Sequence, residues 1–133
     1  MKYLLDTNAC IDYLTGRFPT VVSRLNRSQP RDLCLSTVVV AELRYGADKS
    51  ARSRRNHDLL DILTNEIPVK DFDTDAARTY GKVRAWLEKK GTLIGPNDLL
   101  IASHALSLGV VLVSDNVREF RRVKGLKVEN WRE

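Results

Sequence analysis

The run VVLVS at 110–114 is the feature of this sequence that most restricts the fold. It is apolar from Val110 to Val113 and leads directly into the polar residues Asp115 and Asn116. A strand with no polar alternation is buried on both faces, and such strands are typical of parallel sheets that helices cover on both sides. The run therefore predicts a doubly covered parallel sheet.

Four further short strand candidates alternate with helical patterns along the chain. The strand candidates are KYLL (2–5), LCLS (33–36), EIPVKDF (66–72) and LKVENW (126–131). The helix candidates begin at IDYLTGR and continue at 19–28, 36–50, 51–65, 73–91 and 97–109. This alternation predicts an α/β/α sandwich with a short central parallel sheet covered by helices on both faces, as one domain over 1–133.

Composition restricts the class and the compartment. The 133 residues suit one compact domain, and 43% hydrophobic with 29% charged residues is ordinary for a globular protein. No apolar run approaches the ~20 residues of a membrane span, and the N-terminus lacks a signal-peptide core, so we expect a cytoplasmic protein without membrane contact. Cys10 and Cys34 are expected to be buried thiols.

Acidic residues recur where the strands are expected to end. Asp6 ends the first strand, and Asp115 follows the VVLVS strand. Asp98 begins the preceding helix, and Glu42 lies among apolar residues in VVVAEL, so we expect Glu42 to point toward the sheet. In an open parallel sheet, sites form at the carboxyl ends of the strands. Asp98 could instead cap its helix and Asp115 could begin a turn.

A carboxylate on an apolar helix face is costly unless it is paired, and several carboxylates repel one another unless a cation joins them. Mg²⁺ or Mn²⁺ is the hard ion that oxygen ligands favour, and no histidine or cysteine cluster competes for a softer metal. Such an acidic site suits phosphodiester hydrolysis. The net charge of +5 favours a polyanionic substrate.

The segments LLDTN, VVVAELRYGADKS, YGKVRAWLEKKGTLIGPNDLLIASHALSLG and LVSDNVREFRRVKGLKVENW together resemble VapC-type toxins, the PIN-domain ribonucleases of type II (VapBC) toxin–antitoxin systems. The resemblance covers essentially the whole chain. It implies a metal-dependent endoribonuclease, with the metal-binding acids of the family at Asp6 and Asp98 and the third acid at Glu42. It also implies cleavage of transfer RNA in the initiator anticodon loop, inhibition of translation, a cognate VapB antitoxin and a homodimer.

The fourth acidic position of the family falls within SDN at 114–116. The family pattern aligns Asn116 there, whereas Asp115 is the acid, and only one of two neighbours at a strand end is expected to face the metal. We place Asp115 in the catalytic set with Asp6, Glu42 and Asp98. Supporting roles are predicted for Thr7, Asn8, Ser114, Asn116 and Glu119. Thr7 and Asn8 could orient Asp6 or cap the following helix.

Two surfaces are predicted from the helices at 37–47 and 51–65. A basic track for RNA comprises Arg44, Lys49, Arg52, Arg54 and Arg55, although a solvated helix face would look the same. Tyr45, Leu59 and Leu63 are candidates for a dimer interface. If they are all internal, this face carries no interface.

Two other classes of protein fit the sequence less well. A phosphate-accepting receiver domain needs paired acids after its first strand and an acceptor aspartate after its third, whereas only Asp6 follows the first strand here. A non-catalytic nucleic-acid or protein-binding module could keep the fold, but unused buried carboxylates would destabilise it.

Overall fold

The computed structural model describes residues 1–133 and contains five short parallel strands. They are β1 (Tyr3–Leu5), β2 (Leu33–Ser36), β3 (Val69–Lys70), β4 (Val111–Val113) and β5 (Val128–Glu129). Their order across the sheet is β3-β2-β1-β4-β5, and every neighbouring pair is parallel. The central strands are apolar because both faces of the sheet are covered.

Seven α-helices flank this sheet, and the α/β/α sandwich predicted from the sequence is confirmed. They are α1 (Thr7–Thr15), α2 (Pro19–Arg27), α3 (Thr37–Asp48), α4 (Ser53–Glu66), α5 (Thr74–Lys90), α6 (Pro96–Leu108) and α7 (Val117–Phe120), with a short 3-10 helix at Pro30–Asp32. None of them is long and apolar enough to cross a lipid bilayer.

The predicted element boundaries differ most at two places. The segment 66–72 forms only the two-residue strand β3, because α4 continues to Glu66 and Pro68 has no amide hydrogen for the sheet. Helix α1 begins at Thr7, directly after β1, and therefore earlier than IDYLTGR suggested. Asp6 makes this early start possible because its carboxylate accepts a hydrogen bond of 2.8 Å from the Ala9 amide.

The core lies between the sheet and the helices and includes both thiols. Cys10 and Cys34 are each 0% exposed, as expected, and burial raises the pKa of Cys34 to about 11. Leu63 is 1% exposed and belongs to this core. Its predicted role in a dimer interface is therefore wrong, because its position on α4 turns it into the core. Val113 and Leu5 pair in register, so β1 and β4 end together.

Candidate active site

The carboxyl ends of β1 and β4 place Asp6 and Ser114 side by side at one edge of the sheet. Asp6 is 5% exposed. Burial raises its pKa to about 6, hydrogen bonds from Ser114 and the Ala9 amide oppose this rise, and the negative charges of Asp115 and Asp12 add to it. Ser114 thus contacts the Asp6 carboxylate, whereas the hydrogen bonds of Thr7 and Asn8 go elsewhere.

Glu42 on α3 is held at this edge by two neutral donors. The Thr7 hydroxyl donates a hydrogen bond of 2.7 Å to Oε1, and the Asn97 amide donates one of 3.1 Å to Oε2. Glu42 is half-buried and lines an open pocket, with its carboxylate at the carboxyl edge of the sheet, where the apolar VVVAEL pattern predicted a carboxylate turned toward the sheet and away from bulk water. The helical periodicity of α3 turns Val39 and Leu43 into the core and leaves Glu42 at the edge of the pocket.

Asp98 lies in the first turn of α6 and forms a carboxyl pair with Glu119 of α7. Burial raises the pKa of Asp98 to about 6, and the charge and hydrogen bond of Glu119 raise it further, followed by the charges of Asp6 and Glu42. The pKa of Glu119 is lowered, chiefly by hydrogen bonds from Asn116 and the Gly95 amide. The negative charges of all three other carboxylates thus oppose ionisation of Asp98.

Asn116, not Asp115, faces these carboxylates. The Asn116 amide donates a hydrogen bond of 2.9 Å to Glu119 Oε2 and a longer one of 3.4 Å to Asp98 Oδ2. The Asp115 carboxylate points to the other side of the loop, where Arg132 Nη1 lies 3.0 Å from Oδ2 and the Asn8 amide 3.2 Å from Oδ1. The choice of Asp115 over Asn116 is thereby corrected: successive side chains at the end of β4 point in different directions.

Gly95 closes this cluster from the loop that precedes α6. Its amide donates a hydrogen bond of 2.8 Å to Glu119 Oε1. A side-chain carbon at position 95 would lie 3.6 Å from that oxygen and 3.8 Å from Asp98 Oδ2. A hydrogen atom in place of a side chain therefore leaves the space between these two carboxylates open.

The four carboxylates at this edge have no basic partner. No lysine or arginine forms an ion pair with Asp6, Glu42, Asp98 or Glu119. Their hydrogen bonds come from neutral hydroxyl, side-chain amide and backbone groups. No three of these side chains are close enough to form a preassembled metal site. An oxygen-rich set with uncompensated negative charge nevertheless matches what a divalent cation binds.

The predicted RNA track is divided by the structure. Arg44 bonds to Asp61 at 2.7 Å and to the His57 carbonyl at 3.2 Å, so it joins α3 to α4 and its place in the track is corrected. Arg52, Arg54 and Arg55 are exposed and form no ion pair, and Lys49 lies 4.9 Å from the centre of the Tyr45 ring. Asn56, at the start of α4, lines a groove together with Glu42.

Three residues of this region had no prediction. Asn97 donates a hydrogen bond to Glu42, and its position next to Asp98 in PND could have indicated a role in the site. Asp12 and Arg132 form a salt bridge near Asp115 across 120 residues of sequence, which no local pattern could indicate.

A short parallel sheet covered by helices, with carboxylates at its carboxyl edge, is the arrangement of a metal-dependent nuclease, and comparison with known proteins identifies the family. A family model described as the PIN domain matches residues 3–126. The tRNA(fMet)-specific endonuclease VapC of Salmonella typhimurium is 40% identical over 98% of both chains, and Ribonuclease VapC2 of Haemophilus influenzae is 42% identical over 98% of both. The chain belongs to the PIN-domain family, among its VapC proteins.

Solved structures agree with this assignment. The VapBC complex of Salmonella typhimurium, crystallised with DNA, contains a chain that superposes with a TM-score of 0.93 at 40% identity, over 98% of both chains. VapBC2 of Rickettsia felis, bound to a promoter DNA fragment, gives 0.90 at 38% identity, over 98% of this chain and 99% of that one. The family resemblance read from the sequence is confirmed.

Proposed function

We propose that this chain is a Mg²⁺- or Mn²⁺-dependent endoribonuclease, the toxin of a toxin–antitoxin pair, acting in the cytoplasm. The observation that carries the proposal is the group of four carboxylates without a basic partner at the carboxyl edge of the sheet. Relatives with 40% and 42% identity are named as an endonuclease and a ribonuclease. PIN-domain nucleases generally use divalent metal ions.

Asp6, Glu42 and Asp98 would hold the cation, with Glu119 and Asn116 beside them. When bound, a divalent cation lowers the pKa of water and stabilises the negative charge that develops on a phosphate. The protein's own contribution is to fix the ligands. The Ala9 amide and Ser114 hold Asp6, Thr7 and Asn97 hold Glu42, and Asn116 spans Asp98 and Glu119.

The substrate proposed is transfer RNA, and specifically initiator transfer RNA, with cleavage inhibiting translation. The name of the Salmonella relative supports this choice. Exposed cations at Lys49, Arg52, Arg54 and Arg55 supply phosphate contacts near the groove that ends at Glu42. Without such cations, an acidic pocket would repel RNA.

Cleavage of a panel of purified transfer RNAs tests this function. We expect initiator transfer RNA to be cut in Mg²⁺ or Mn²⁺ and left intact in EDTA. Asp98→Asn should reduce the cleavage rate by at least about a hundredfold, because it removes a metal ligand. The variant should remain folded, because the substitution also relieves repulsion among the carboxylates. Equal cleavage in EDTA and Mg²⁺ would refute metal dependence, and cleavage of another RNA would refute only the substrate.

The partner proposed is a VapB antitoxin, because the structural relatives are VapBC complexes. An apolar groove of about 270 Å³ runs between α1, α3 and α4, and it ends at Glu42. A segment of the antitoxin could place apolar side chains along Leu14 and Leu59 and an arginine or lysine on the carboxylates. Growth arrest on expression, relieved by the neighbouring gene, tests the pairing, and harmless expression of an active chain would contradict it.

A further inference from the structure

Arg132 forms ion pairs with two acids beside the four site carboxylates, Asp12 and Asp115. It follows β5, and its guanidinium forms a two-point salt bridge with Asp12, with Nε 2.6 Å from Oδ2 and Nη2 3.0 Å from Oδ1. The remaining nitrogen, Nη1, lies 3.0 Å from Asp115 Oδ2. One side chain thus joins α1 to the loop between β4 and α7.

The position of this guanidinium is fixed by the residues around it. The Asp12 side chain is 4% exposed, whereas those of Arg132 and Asp115 are 27% exposed. Phe18 lies beneath the guanidinium, with the ring centre 4.1 Å from Cζ. The Arg132 backbone accepts a hydrogen bond of 3.0 Å from the Thr20 hydroxyl and donates one to Asn130. A planar fork held in this way can direct a second carboxylate.

Both oxygens of Asp115 are therefore occupied, by Arg132 and by the Asn8 amide. The neighbouring Asn116 amide, one residue later, faces Asp98 and Glu119. The Asn116 backbone amide also bonds to Ser114 Oγ at 3.0 Å, which closes the turn. Of the two side chains Asp115 and Asn116, Arg132 contacts only Asp115, which points away from the carboxylates.

We propose that Arg132 is a positioning residue that holds Asp115 out of the cation site, so that Asn116 is the residue of this loop that faces the metal-binding carboxylates. The inference rests on the proposed function for the presence of a cation, but not for the position of the loop. Without Arg132, Asp115 is a carboxylate adjacent in sequence to Asn116, whose side-chain amide lies within hydrogen-bond distance of Asp98 and Glu119. A further carboxylate strengthens cation binding.

The test uses variants that leave no buried unpaired charge. Asp12→Asn with Arg132→Gln removes the buried pair as neutral isosteres and leaves Asp115 only its hydrogen bond from the Asn8 amide. A third change, Asp115→Asn, then removes the released carboxylate. The matched control is Arg24→Gln with Glu129→Gln, which removes another arginine–carboxylate pair, at 3.2 Å, that contacts none of the four site carboxylates.

Calorimetric titration with Mn²⁺, without RNA, gives the first result. We expect the double variant to bind Mn²⁺ roughly threefold more tightly or better, and the triple variant to return to the wild-type affinity. The control should bind as wild type. Wild-type affinity in the double variant overturns the proposal, and so does a loss of about tenfold caused by Asp115→Asn alone, since Asp115 would then already be a ligand.

Hydrogen exchange in EDTA gives a result that needs no metal. Exchange of the Asn116 backbone amide should be at least about tenfold faster in the double variant than in wild type or control, because the loop loses its fixed point. Unchanged exchange overturns the proposal. If the loop result holds and wild type binds no Mn²⁺, the proposed metal-dependent function fails while the positioning role of Arg132 stands.

Discussion

At the scale of single residues, the active-site candidate contains two carboxyl groups, those of Asp6 and Asp98, whose ionisation costs free energy. Asp98 shows this most clearly, since its pKa is raised from 3.8 to about 6 by burial and by the neighbouring Glu119, Asp6 and Glu42. The folded state therefore binds more protons than the unfolded state between these two pH values. The Asp98 carboxyl therefore does not lower the free energy of unfolding below pH 3.8, where it is protonated in both states. The free energy of unfolding then falls as the pH rises from 3.8 through about 6.

Asp98→Asn should accordingly stabilise the metal-free protein. The free energy of unfolding in EDTA should rise by about 1 kcal/mol at pH 8, allowing for solvent screening of this half-buried group, and the gain should vanish near pH 4. Urea denaturation at both pH values measures it. A variant less stable than wild type at pH 8 would show that repulsion among these carboxylates is not significant.

At the scale of helices and strands, α3 and α6 carry two of the three principal acids, and a buried hydrogen bond at the start of α3 links them. Ser36 is 0% exposed, caps α3 by accepting a hydrogen bond of 3.1 Å from the Val38 amide, and lies 2.8 Å from His104 Nδ1 on α6. The other ring nitrogen, Nε2, is buried without a partner. Ser36 therefore bonds both to the first turn of α3 and to the His104 ring on α6.

Ser36→Ala should lower the free energy of unfolding by about 2 kcal/mol, because it removes a helix cap and leaves a buried ring nitrogen unpaired. Thermal or urea unfolding at pH 7 measures the change. Ser23→Ala on the exposed face of α2 is the control and should change stability by less than about 0.5 kcal/mol. Equal effects of both substitutions would remove Ser36 as a link between the helices.

The exposed arginines at the start of α4 are expected to set the salt dependence of RNA binding. Arg54→Gln with Arg55→Gln should weaken RNA binding in EDTA and reduce the slope of log affinity against log salt by about 1.4, if each residue contacts one phosphate of a single strand. The control is Arg78→Gln with Arg84→Gln on α5, which has the same change in charge. An unchanged slope would indicate a solvated helix face.

At the scale of the whole molecule, the exposed apolar residues on α3 and α4 are consistent with the proposed homodimer. Tyr45 is 66% exposed and Ile62 is 56% exposed, whereas Leu63 is buried and Leu59 lines the groove beside Glu42. The candidate interface therefore keeps Tyr45 from the expected set of Tyr45, Leu59 and Leu63, and replaces the two leucines with Ile62.

Light scattering tests this interface. The wild-type chain should have twice its chain mass of 15.1 kDa at tens of micromolar, and Tyr45→Glu with Ile62→Glu should be a monomer because charge on an apolar interface is costly. Leu93→Gln, at another exposed apolar residue, is the control and should remain a dimer. A monomeric wild-type chain would exclude the dimer.

The sequence by itself determined the order of the elements and the acids worth examining. A continuous apolar strand is buried on both faces only in a sheet that helices cover on both sides. VVLVS therefore predicted β4 and its place among parallel strands correctly. Asp6 and Asp98 were found in the same way, because the ends of parallel strands share one edge. Glu42 was selected because a carboxylate among the apolar residues of VVVAEL needs a partner, and the family resemblance matched all three acids and added the substrate and the partner.

Only the tertiary structure decided which side chains meet. Asp115 and Asn116 are neighbours at a strand end, and the distant Arg132 and Asp98 determine which way each points. Arg44 seemed free in the sequence because Asp61 and His57 approach it only when α3 packs against α4. Local patterns report periodicity and burial, whereas ion pairs and hydrogen bonds depend on atoms that the chain brings together from far apart.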